Sequence, residues 1–366
     1  MPPRVIVSVV GARPNFMKLA PLARMLAERP EVTHVIVHTG QHYDPEMSDT
    51  FFRDLGIPQP AHNLEVGSGS HAQQTGAIMQ RFEPIVVALV PDVVLVYGDV
   101  NSTVAAALVA AKLGIPVGHV EAGLRSGDWS MPEEINRIVT DRLSALLFVP
   151  SRDAVDNLLA EGLPADRIHF VGNVMIDSLI RALPTARNLN APRRQGLEGR
   201  RYAVVTLHRP SNVDDAATLR DLLGALAAFS AETPVLFPVH PRTRERIGPP
   251  PAGNGDLRLL EPLPYSEMLS LVASAGLVIT DSGGLQEETS FLGVPCLTVR
   301  ANTERPITVT AGTNRLVAPR GEAVLAAARA AVRTPRPAAA PGIERWDGAA
   351  ARRIAAVLCD AERFEP

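Results

Sequence analysis

Residues 92–122, DVVLVYGDVNSTVAAALVAAKLGIPVGHVEA, decide the predicted fold of this chain. They contain an apolar run rich in β-branched residues, a helix-like stretch and a second apolar run. Strands that are apolar throughout and separated by helices are typical of a parallel sheet covered on both faces. The stretch therefore predicts a strand–helix–strand unit of an α/β protein.

The same alternation continues in both directions along the chain. Further strand-like runs are RVIVSVV, THVIVHT and ALLFVPS in the first half, and YAVVTLH, PVLFPVH, LRLLEP, GLVITDS and PCLTVR in the second. Residues 182–201 are rich in Pro, Arg and Gly and are the predicted linker, while residues 249–256 are a predicted loop. The pattern predicts two α/β domains. Because parallel sheets bind ligands at the carboxyl ends of their strands, we expect the site in a cleft between them.

The composition narrows the class of protein. The chain has 366 residues, of which 46% are hydrophobic and 20% are charged, as in a globular protein with a large core. A net charge of −3 gives no electrostatic reason to expect nucleic acid or an anionic membrane as a partner. Two cysteines make no disulfide framework, and no apolar stretch is long enough to span a membrane. A cytoplasmic location is the simplest expectation.

Three acidic side chains of the first half are candidates for chemistry. Asp99 and Glu121 each follow an apolar strand-like run, and Glu133 lies in MPEEINR at the start of a predicted helix. A carboxylate at the end of an apolar strand is costly unless it is paired or used in catalysis. Together the acids predict a proton-transfer set. Helix capping is the alternative for Asp99. For Glu134, a helix-dipole role is the better interpretation.

Two cations follow the first predicted strand. Arg13 and Lys18 lie in GARPNFMK, at the start of a helix, where they suit an anionic ligand. A solvated loop is the alternative. The chain has no G-x-G-x-x-G fingerprint and no P-loop sequence, so neither a dinucleotide site of the usual type nor a Walker-type site is supported. Metal binding is not favoured by the sequence.

Cationic residues also follow strands of the second half. TLHRPSNVDD contains His208 and Arg209, and FPVHPRTRERI contains His240 and Arg242. A lone histidine is usually structural, whereas two such clusters at strand ends of one sheet form a cationic wall. This wall suits a diphosphate.

Residues 280–288, TDSGGLQEE, predict an anion seat at the start of a helix. Ser282 is the predicted helix cap, and Gly283 and Gly284 leave backbone N–H groups open to a phosphate. Glu288 lies four residues after Gly284 on the same helix face and could bind ribose hydroxyls. For Glu287 we expect a structural pairing.

In combination these motifs resemble the non-hydrolysing UDP-N-acetylglucosamine 2-epimerases over nearly the whole chain. They are GARPNFMKLAPL, TGQHYD, GDVNSTVAAALVAAKLGIPVGHVEAGLRSGD, PEEINR, GNVMIDSL, HRPSN and DSGGLQEETSFLGVPCLTVRANTERPITVTAGTNRLV. The resemblance implies two Rossmann-like domains with parallel sheets of the GT-B type and an interdomain active-site cleft. The implied limits are residues 1–180, residues 181–345, and a final helix in 346–366 that packs back on the first domain.

The resemblance also implies a reaction. UDP-GlcNAc and UDP-ManNAc are interconverted by elimination of UDP to 2-acetamidoglucal and re-addition of UDP, without NAD or another cofactor. A UDP-sugar is then the substrate, and a homodimer is the expected assembly. In some bacterial members a second UDP-GlcNAc activates the enzyme.

Site residues are implied position by position. The catalytic carboxylates match Asp99, Glu121 and Glu133, and the essential histidine near the diphosphate matches His208. The substrate and UDP contacts match Arg13, Lys18, Ser282, Gly283, Gly284 and Glu288. The activator site matches Gln41, His42, Arg209 and His240.

Three departures from well-known members border the sugar and the activator, not the uridine. The first loop reads GARPNF instead of GTRPEA, DWSM shortens the stretch before PEEINR, and HRPSN replaces HRREN. Several alternatives therefore stay open. They are a C2 epimerase of a modified UDP-HexNAc such as a diacetamido-uronic acid, a hydrolysing epimerase that releases ManNAc and UDP, a GT-B glycosyltransferase, and an inactive UDP-sugar-binding protein.

Overall fold

The structure, a computed structural model, describes residues 3–41, 52, 55–239, 241–247, 255–334, 336 and 340–360. The chain divides into two compact units. Unit 1 consists of Met1–Ser178 and Glu344–Pro366, and unit 2 consists of Leu179–Ile343. Unit 1 therefore contains both ends of the chain.

Unit 1 is built on a seven-stranded sheet in which every neighbouring pair is parallel. Its strands are β1 (Arg4–Val10), β2 (Val32–His38), β3 (His62–Asn63), β4 (Val93–Tyr97), β5 (Val117–Val120), β6 (Leu146–Val149) and β7 (Ile168–Phe170). Their order is β3-β2-β1-β4-β5-β6-β7. Its helices are α1 (Arg13–Ala27), α2 (His71–Leu89), α3 (Asn101–Lys112), α4 (Pro132–Leu143), α5 (Arg152–Ala160) and α6 (Val174–Leu189), with a 3-10 turn at Ala165–Arg167. The boundary with unit 2 falls inside α6.

Residues 92–122 form β4, α3 and β5 as predicted. Every residue of β4 is buried, because helices cover both faces of the sheet. Val94 and Val96 belong to one apolar cluster, whereas Leu95 and Tyr97 belong to another. Since successive side chains of a strand point to opposite faces, these are the cores above and below the sheet.

Unit 2 repeats this architecture with six parallel strands. They are β8 (Ala203–Thr206), β9 (Val235–Pro238), β10 (Leu257–Leu260), β11 (Leu277–Thr280), β12 (Cys296–Val299) and β13 (Asn314–Val317). Their order is β10-β9-β8-β11-β12-β13. Its helices are α7 (Ala191–Arg194), α8 (Pro210–Val213), α9 (Ala216–Ser230), α10 (Pro241–Arg244), α11 (Tyr265–Ser274), α12 (Gly283–Leu292), α13 (Ile307–Thr310) and α14 (Gly321–Arg333).

The last helix, α15 (Ala350–Asp360), belongs to unit 1. Ile354 and Leu358 are fully buried in the same apolar cluster as Leu19 and Leu22 of α1. Asp177 of α6 accepts hydrogen bonds from the backbone N–H groups of residues 350 and 351, at 3.2 and 2.8 Å. A carboxylate at this position satisfies N–H groups that an isolated helix leaves without partners.

The predicted fold class, α/β with two parallel sheets, is confirmed. The predicted irregular linker at 182–201 is wrong in its first half, because α6 continues through Pro184 to Leu189 and α7 follows. Packing explains this helix, since Leu179 and Ala186 are fully buried against Leu269. Residues 249–254 of the predicted loop lie outside the described residues. Among the helices that the structure describes, none is both long and apolar enough to cross a membrane.

Candidate active site

Strand order brings the candidate residues together within each unit. In both sheets the order reverses between two central strands, β1 and β4 in one and β8 and β11 in the other. Ligands of open parallel sheets bind at such a reversal, outside the carboxyl ends of the strands. Arg13 and Asp99 follow the central pair of unit 1, and His208 and Ser282 follow that of unit 2.

Glu121 is buried at the end of β5 and pairs with Lys18 of α1. Its backbone φ is +75°, a left-handed conformation that non-glycine residues rarely adopt and that costs about 1–3 kcal/mol. The Glu121 N–H donates to the Phe148 carbonyl at 3.1 Å, which fixes this turn to β6. Lys18 was predicted to face an anionic ligand. In the structure its buried ammonium pairs with Glu121, and contact of Lys18 with an anionic ligand stays a prediction.

Gly98 makes room for this pair. Its φ is +62°, and a Cβ built there would lie 2.5 Å from Lys18 Nζ and 3.2 Å from Glu121 Oε2. Tyr97 lies opposite Val120 in the β4–β5 ladder, so Asp99 and Glu121 follow adjacent strands. Glycine is required both for the conformation and for the close approach of the ammonium.

Asp99 is half-buried and held by Arg137 of α4, whose Nε and Nη2 lie 3.0 and 2.8 Å from Asp99 Oδ2. Arg137 also pairs with Glu134. Glu134 is 1% exposed and accepts backbone N–H groups of Ser126 and Gly127 at 2.8–3.0 Å. The structural interpretation of Glu134 therefore holds, although it fixes a loop in addition to its place in the first helical turn. Arg137 was missed by the sequence analysis, although it lies inside the quoted PEEINR.

Glu133 and Arg13 are the two remaining members of the set in unit 1. Glu133 is half-buried in the first turn of α4, and no hydrogen bond or ion pair to it occurs within the part of the chain that the structure describes. Arg13 is exposed at the first position of α1. Arg125, in contrast, is committed to Glu161 at 2.7–2.8 Å and to Asp141 at 2.7 Å.

In unit 2, His208 and Asp281 form a carboxylate–imidazole pair. His208 Nδ1 lies 2.8 Å from Asp281 Oδ1, and the imidazole side chain is 48% exposed while Asp281 is fully buried. Asp281 also accepts the backbone N–H groups of His208 and Arg209 and the side-chain amide of Asn212, each at 2.9–3.0 Å. The pair fixes the histidine ring and leaves Nε2 for a ligand.

Asp281 is ionised despite its position. Burial alone would raise the pKa of this carboxyl group, but the hydrogen bonds and charge of His208, with the donors from Arg209 and Asn212, lower the pKa below its usual value. Asp281 was not among the residues predicted from the sequence. An acid directly after the apolar run GLVIT is the same signal that identified Asp99.

Ser282 occupies the predicted N-cap position of α12, but its side chain makes no capping hydrogen bond. Gly283 opens the helix against two ionic side chains. A Cβ built on Gly283 would lie 2.5 Å from Arg305 Nη1 and 2.9 Å from Glu304 Oε1. Gly283 is therefore needed for packing at the start of α12. This role adds to the predicted one, in which Gly283 and Gly284 leave their backbone N–H groups open to a phosphate.

The acids of α12 differ in their partners. Glu288 is buried and accepts a hydrogen bond from the Tyr265 hydroxyl at 3.0 Å. Glu287 lies 2.9 Å from Arg305 Nε, which is the structural pairing that we expected. Arg305 also pairs with Glu304, and Glu304 lies 2.7 Å from Arg300. A buried ionic network thus supports the start of α12.

Of the four residues matched to an activator site, the structure describes Gln41 and Arg209. His42 and His240 lie outside the described residues. The Gln41 side-chain oxygen accepts the Ser102 N–H and hydroxyl groups at 3.1 and 2.6 Å, so it caps α3. Arg209 is half-buried and donates from Nε to the Asp281 carbonyl at 3.1 Å. Among the described residues, no group of three His, Cys, Asp or Glu side chains could hold a metal ion.

Comparison with known proteins shows the family to which the chain belongs. A family model described as UDP-N-acetylglucosamine 2-epimerase matches residues 24–359. A Methanococcus maripaludis UDP-N-acetylglucosamine 2-epimerase homolog is 45% identical over 87% of this chain and 90% of its own length. A Pseudomonas aeruginosa UDP-2,3-diacetamido-2,3-dideoxy-D-glucuronate 2-epimerase is 43% identical over 88% and 91%.

A solved structure of a UDP-GlcNAc 2-epimerase has a similar fold. The crystal structure of Methanocaldococcus jannaschii UDP-GlcNAc 2-epimerase, in complex with UDP-GlcNAc and UDP, matches with a TM-score of 0.87. It is 39% identical and covers 98% of this chain and 100% of its own. The predicted GT-B type of fold is thereby confirmed, while the cleft between the domains stays a prediction. This chain belongs to the UDP-N-acetylglucosamine 2-epimerase family of isomerases.

Proposed function

We propose that this protein inverts C2 of UDP-GlcNAc to give UDP-ManNAc, without hydrolysing the sugar nucleotide. The C2 proton is not next to a carbonyl group, so its direct removal would be very slow. In the proposed route a base takes the C2 proton while the C1–O bond breaks. The C–H electron pair forms the C1=C2 double bond of 2-acetamidoglucal, and the C1–O pair leaves with UDP. UDP then adds back to C1 as C2 is protonated on the opposite face.

The observation that carries this proposal is the pair of cation-held carboxylates after β4 and β5. Glu121 with Lys18 and Asp99 with Arg137 follow adjacent strands, and Glu133 is the third acid of the set. A proton must leave one face of C2 and arrive on the other, which requires two groups that exchange protons. We assign the base and the acid to these three carboxylates.

The UDP group is assigned to unit 2. His208, oriented by Asp281, and the N-terminal end of α12 at Ser282, Gly283 and Gly284 supply donors for the diphosphate. Glu288, one turn further along α12, is assigned to the ribose hydroxyls, with Arg13 as a further cation for the substrate. Firm binding of UDP matters because free UDP would leave before it could add back.

The direct test is incubation with UDP-GlcNAc in deuterated water, followed by NMR and mass spectrometry. We expect two epimeric UDP-sugars, both carrying deuterium at C2. Absence of exchange at C2 would contradict the assignment for this substrate. Free UDP that accumulates together with free sugar would instead indicate the hydrolysing reaction. A glycosyltransferase would need an acceptor and would not exchange the C2 proton for deuterium.

A second candidate substrate is a modified UDP-HexNAc such as a diacetamido-uronic acid. The observation that favours it is the 43% identity to the Pseudomonas aeruginosa 2-epimerase named for that sugar. The same exchange assay with a panel of UDP-sugars separates the two candidates. Faster exchange with the diacetamido-uronic acid than with UDP-GlcNAc would reassign the substrate.

We further propose a homodimer and an activating second UDP-GlcNAc. The activator would be bound by Gln41, His42, Arg209 and His240, with the Gln41 oxygen already engaged by Ser102. Light scattering measures the assembly. Exchange of a second UDP-sugar, measured with and without added UDP-GlcNAc, measures activation, and equal rates would contradict it.

A further inference from the structure

A histidine that the proposed mechanism does not use lies beneath the carboxylates of unit 1. His119 is in β5, two residues before Glu121, and is fully buried. Its Nδ1 lies 2.6 Å from Asp141 Oδ1 of α4, and its Nε2 lies 2.7 Å from the backbone oxygen of Gly98. Both ring nitrogens therefore face oxygen atoms at hydrogen-bonding distance.

The partners determine the number of protons on the ring. The Gly98 carbonyl can only accept, so it needs an N–H from Nε2. The other oxygen of Asp141 accepts from Arg125 at 2.7 Å and from the Gly123 N–H at 3.1 Å, which favours an ionised carboxylate. Burial alone would raise the pKa of Asp141, but the charges and hydrogen bonds of His119 and Arg125 lower it. In a neutral imidazole one ring nitrogen has a lone pair and no proton, and it would face the oxygen of either Asp141 or Gly98 without donating a hydrogen bond.

We propose that His119 is a doubly protonated positioning residue. Its two N–H groups tie the Gly98 carbonyl to Asp141 and thereby hold the turn that carries Asp99. Only the kinetic consequence of this proposal rests on the proposed function.

The surrounding charges are consistent with an imidazolium. Arg125 and Glu161 complete a set with His119 and Asp141. With the second ring proton on His119, the formal charges of these four side chains add up to zero. Lys18 and Glu121, which form their own neutral pair, lie next to Gly98. Asp99, the residue after Gly98, is held by Arg137. Glu161 lies at the exposed end of this set, whereas His119 and Asp141 are fully buried.

Each carbonyl of the turn has a side-chain donor. The Tyr97 oxygen accepts from Asn15 Nδ2 and Thr103 Oγ1, both at 2.8 Å. The Asp99 oxygen accepts from Asn136 Nδ2 at 2.9 Å. His119 supplies the donor for the Gly98 oxygen between them. Because α1, α3, β5 and α4 each contribute, the position of Asp99 is fixed before a substrate arrives, as catalysis at a defined geometry requires.

The protonation state is tested by ring ¹⁵N NMR of the ¹⁵N-histidine-labelled full-length protein. At about pH 9 ordinary histidines are neutral, and a neutral ring has two widely separated ¹⁵N signals. We expect one ring that keeps the two similar signals of an imidazolium. That signal should vanish in His119→Asn and persist in His208→Asn. No imidazolium in the wild type, or one that vanishes in His208→Asn, would overturn the proposal. If His119→Asn does not fold, a wild-type spectrum without an imidazolium, or one whose imidazolium vanishes in His208→Asn, still overturns the proposal.

The positioning role is tested by the C2 exchange rate. We expect His119→Asn to lower kcat about 10-fold or more, because a charged hydrogen bond to the turn is lost, with KM changed less than about 3-fold. His169→Asn, the same change in β7 of the same sheet, is the matched control and should keep kcat. Equal kcat in the two variants would contradict the role. If the wild type exchanges no UDP-sugar, the proposed function fails while the NMR result on His119 stands.

Discussion

At the scale of single residues, two acids of the candidate site are held by cations and a third by a histidine. Glu121 pairs with Lys18, Asp99 with Arg137, and Asp281 with His208. Breaking a buried pair by removing one partner leaves an uncompensated charge, so such a change costs more than the contact itself. Variants that keep the shape and remove only the charge of the acid are therefore the most informative.

Asp99→Asn and Glu121→Gln should each reduce C2 exchange below detection while UDP affinity changes less than about 3-fold, since UDP is assigned to unit 2. Exchange is followed by NMR and UDP binding by calorimetry. Glu83→Gln, an exposed change on α2, is the matched control and should behave as the wild type. A loss of UDP affinity as large as the loss of exchange would refute the division of roles.

Asp281→Asn should lower kcat/KM about 10- to 100-fold, because it removes the charged acceptor that orients His208. UDP affinity should fall with it, since His208 is assigned to the diphosphate. The measurement is steady-state kinetics together with UDP titration. An Asp281→Asn variant with wild-type UDP affinity would show that the orientation of His208 does not matter for binding.

The site residues show which predictions sequence can support. Asp99, Glu121 and His208 follow apolar runs, and a polar residue at the end of a buried strand is visible in sequence. The partner of His208 is 73 positions away and meets it only because β8 and β11 are neighbours. Lys18 was identified, but its pairing with Glu121 depends on a φ of +75° that no local pattern predicts.

At the scale of elements, the start of α12 depends on the packing of Gly283. Gly283→Ala would force a Cβ against Arg305 and Glu304. We expect a loss of about 1–3 kcal/mol in the free energy of unfolding, together with weaker UDP binding. Urea unfolding and UDP titration measure both effects.

The control for this variant is Gly224→Ala in α9, where an added Cβ meets nothing within 4 Å. This change should be neutral or stabilise by up to about 1 kcal/mol, because alanine favours a helix. Equal stability of Gly283→Ala and Gly224→Ala would contradict the close packing at α12.

The attachment of α15 through Asp177 predicts a pH dependence. Burial, the largest cause, raises the pKa of Asp177 from 3.8 to about 6. The folded state then binds more protons than the unfolded state between these values, so stability falls as the pH rises through this window. The fall amounts to about 3 kcal/mol and is complete above about pH 6. Urea unfolding at several pH values measures it.

Asp177→Asn should lack this part of the pH dependence, since an amide does not titrate. Asp166→Asn, in the exposed 3-10 turn, should keep it. If Asp177→Asn follows the wild-type curve, burial does not perturb this carboxyl group.

At the scale of the whole molecule, removal of the residues after Ile343 should affect the two units unequally. Unit 1 would lose Ile354 and Leu358 from its core, and each is worth about 2–5 kcal/mol. Unit 2 ends at Ile343 and would lose nothing of its own. Amide hydrogen exchange should therefore show lost protection in β1–β7 and native protection in β8–β13. Uniform loss across both sheets would contradict this expectation.

The central strands of both units could be predicted from sequence because helices bury them on two faces. β4, β5, β8 and β11 all appear as apolar runs. β3, β7 and β13 were missed, since these edge strands have two to four residues and are partly exposed. The helix through Pro184 was missed for another reason, because packing of Leu179 and Ala186 outweighs the local preference of proline.

The division of the chain has a consequence for synthesis on the ribosome. Unit 2 is continuous in the chain and is complete once Ile343 has emerged. Unit 1 is translated first, yet its core lacks Ile354 and Leu358 until the last helix is made. It follows that the first unit to be translated is the last to reach its final stability. The apolar surface of α1 that α15 covers therefore lacks this cover until residues 350–360 have emerged.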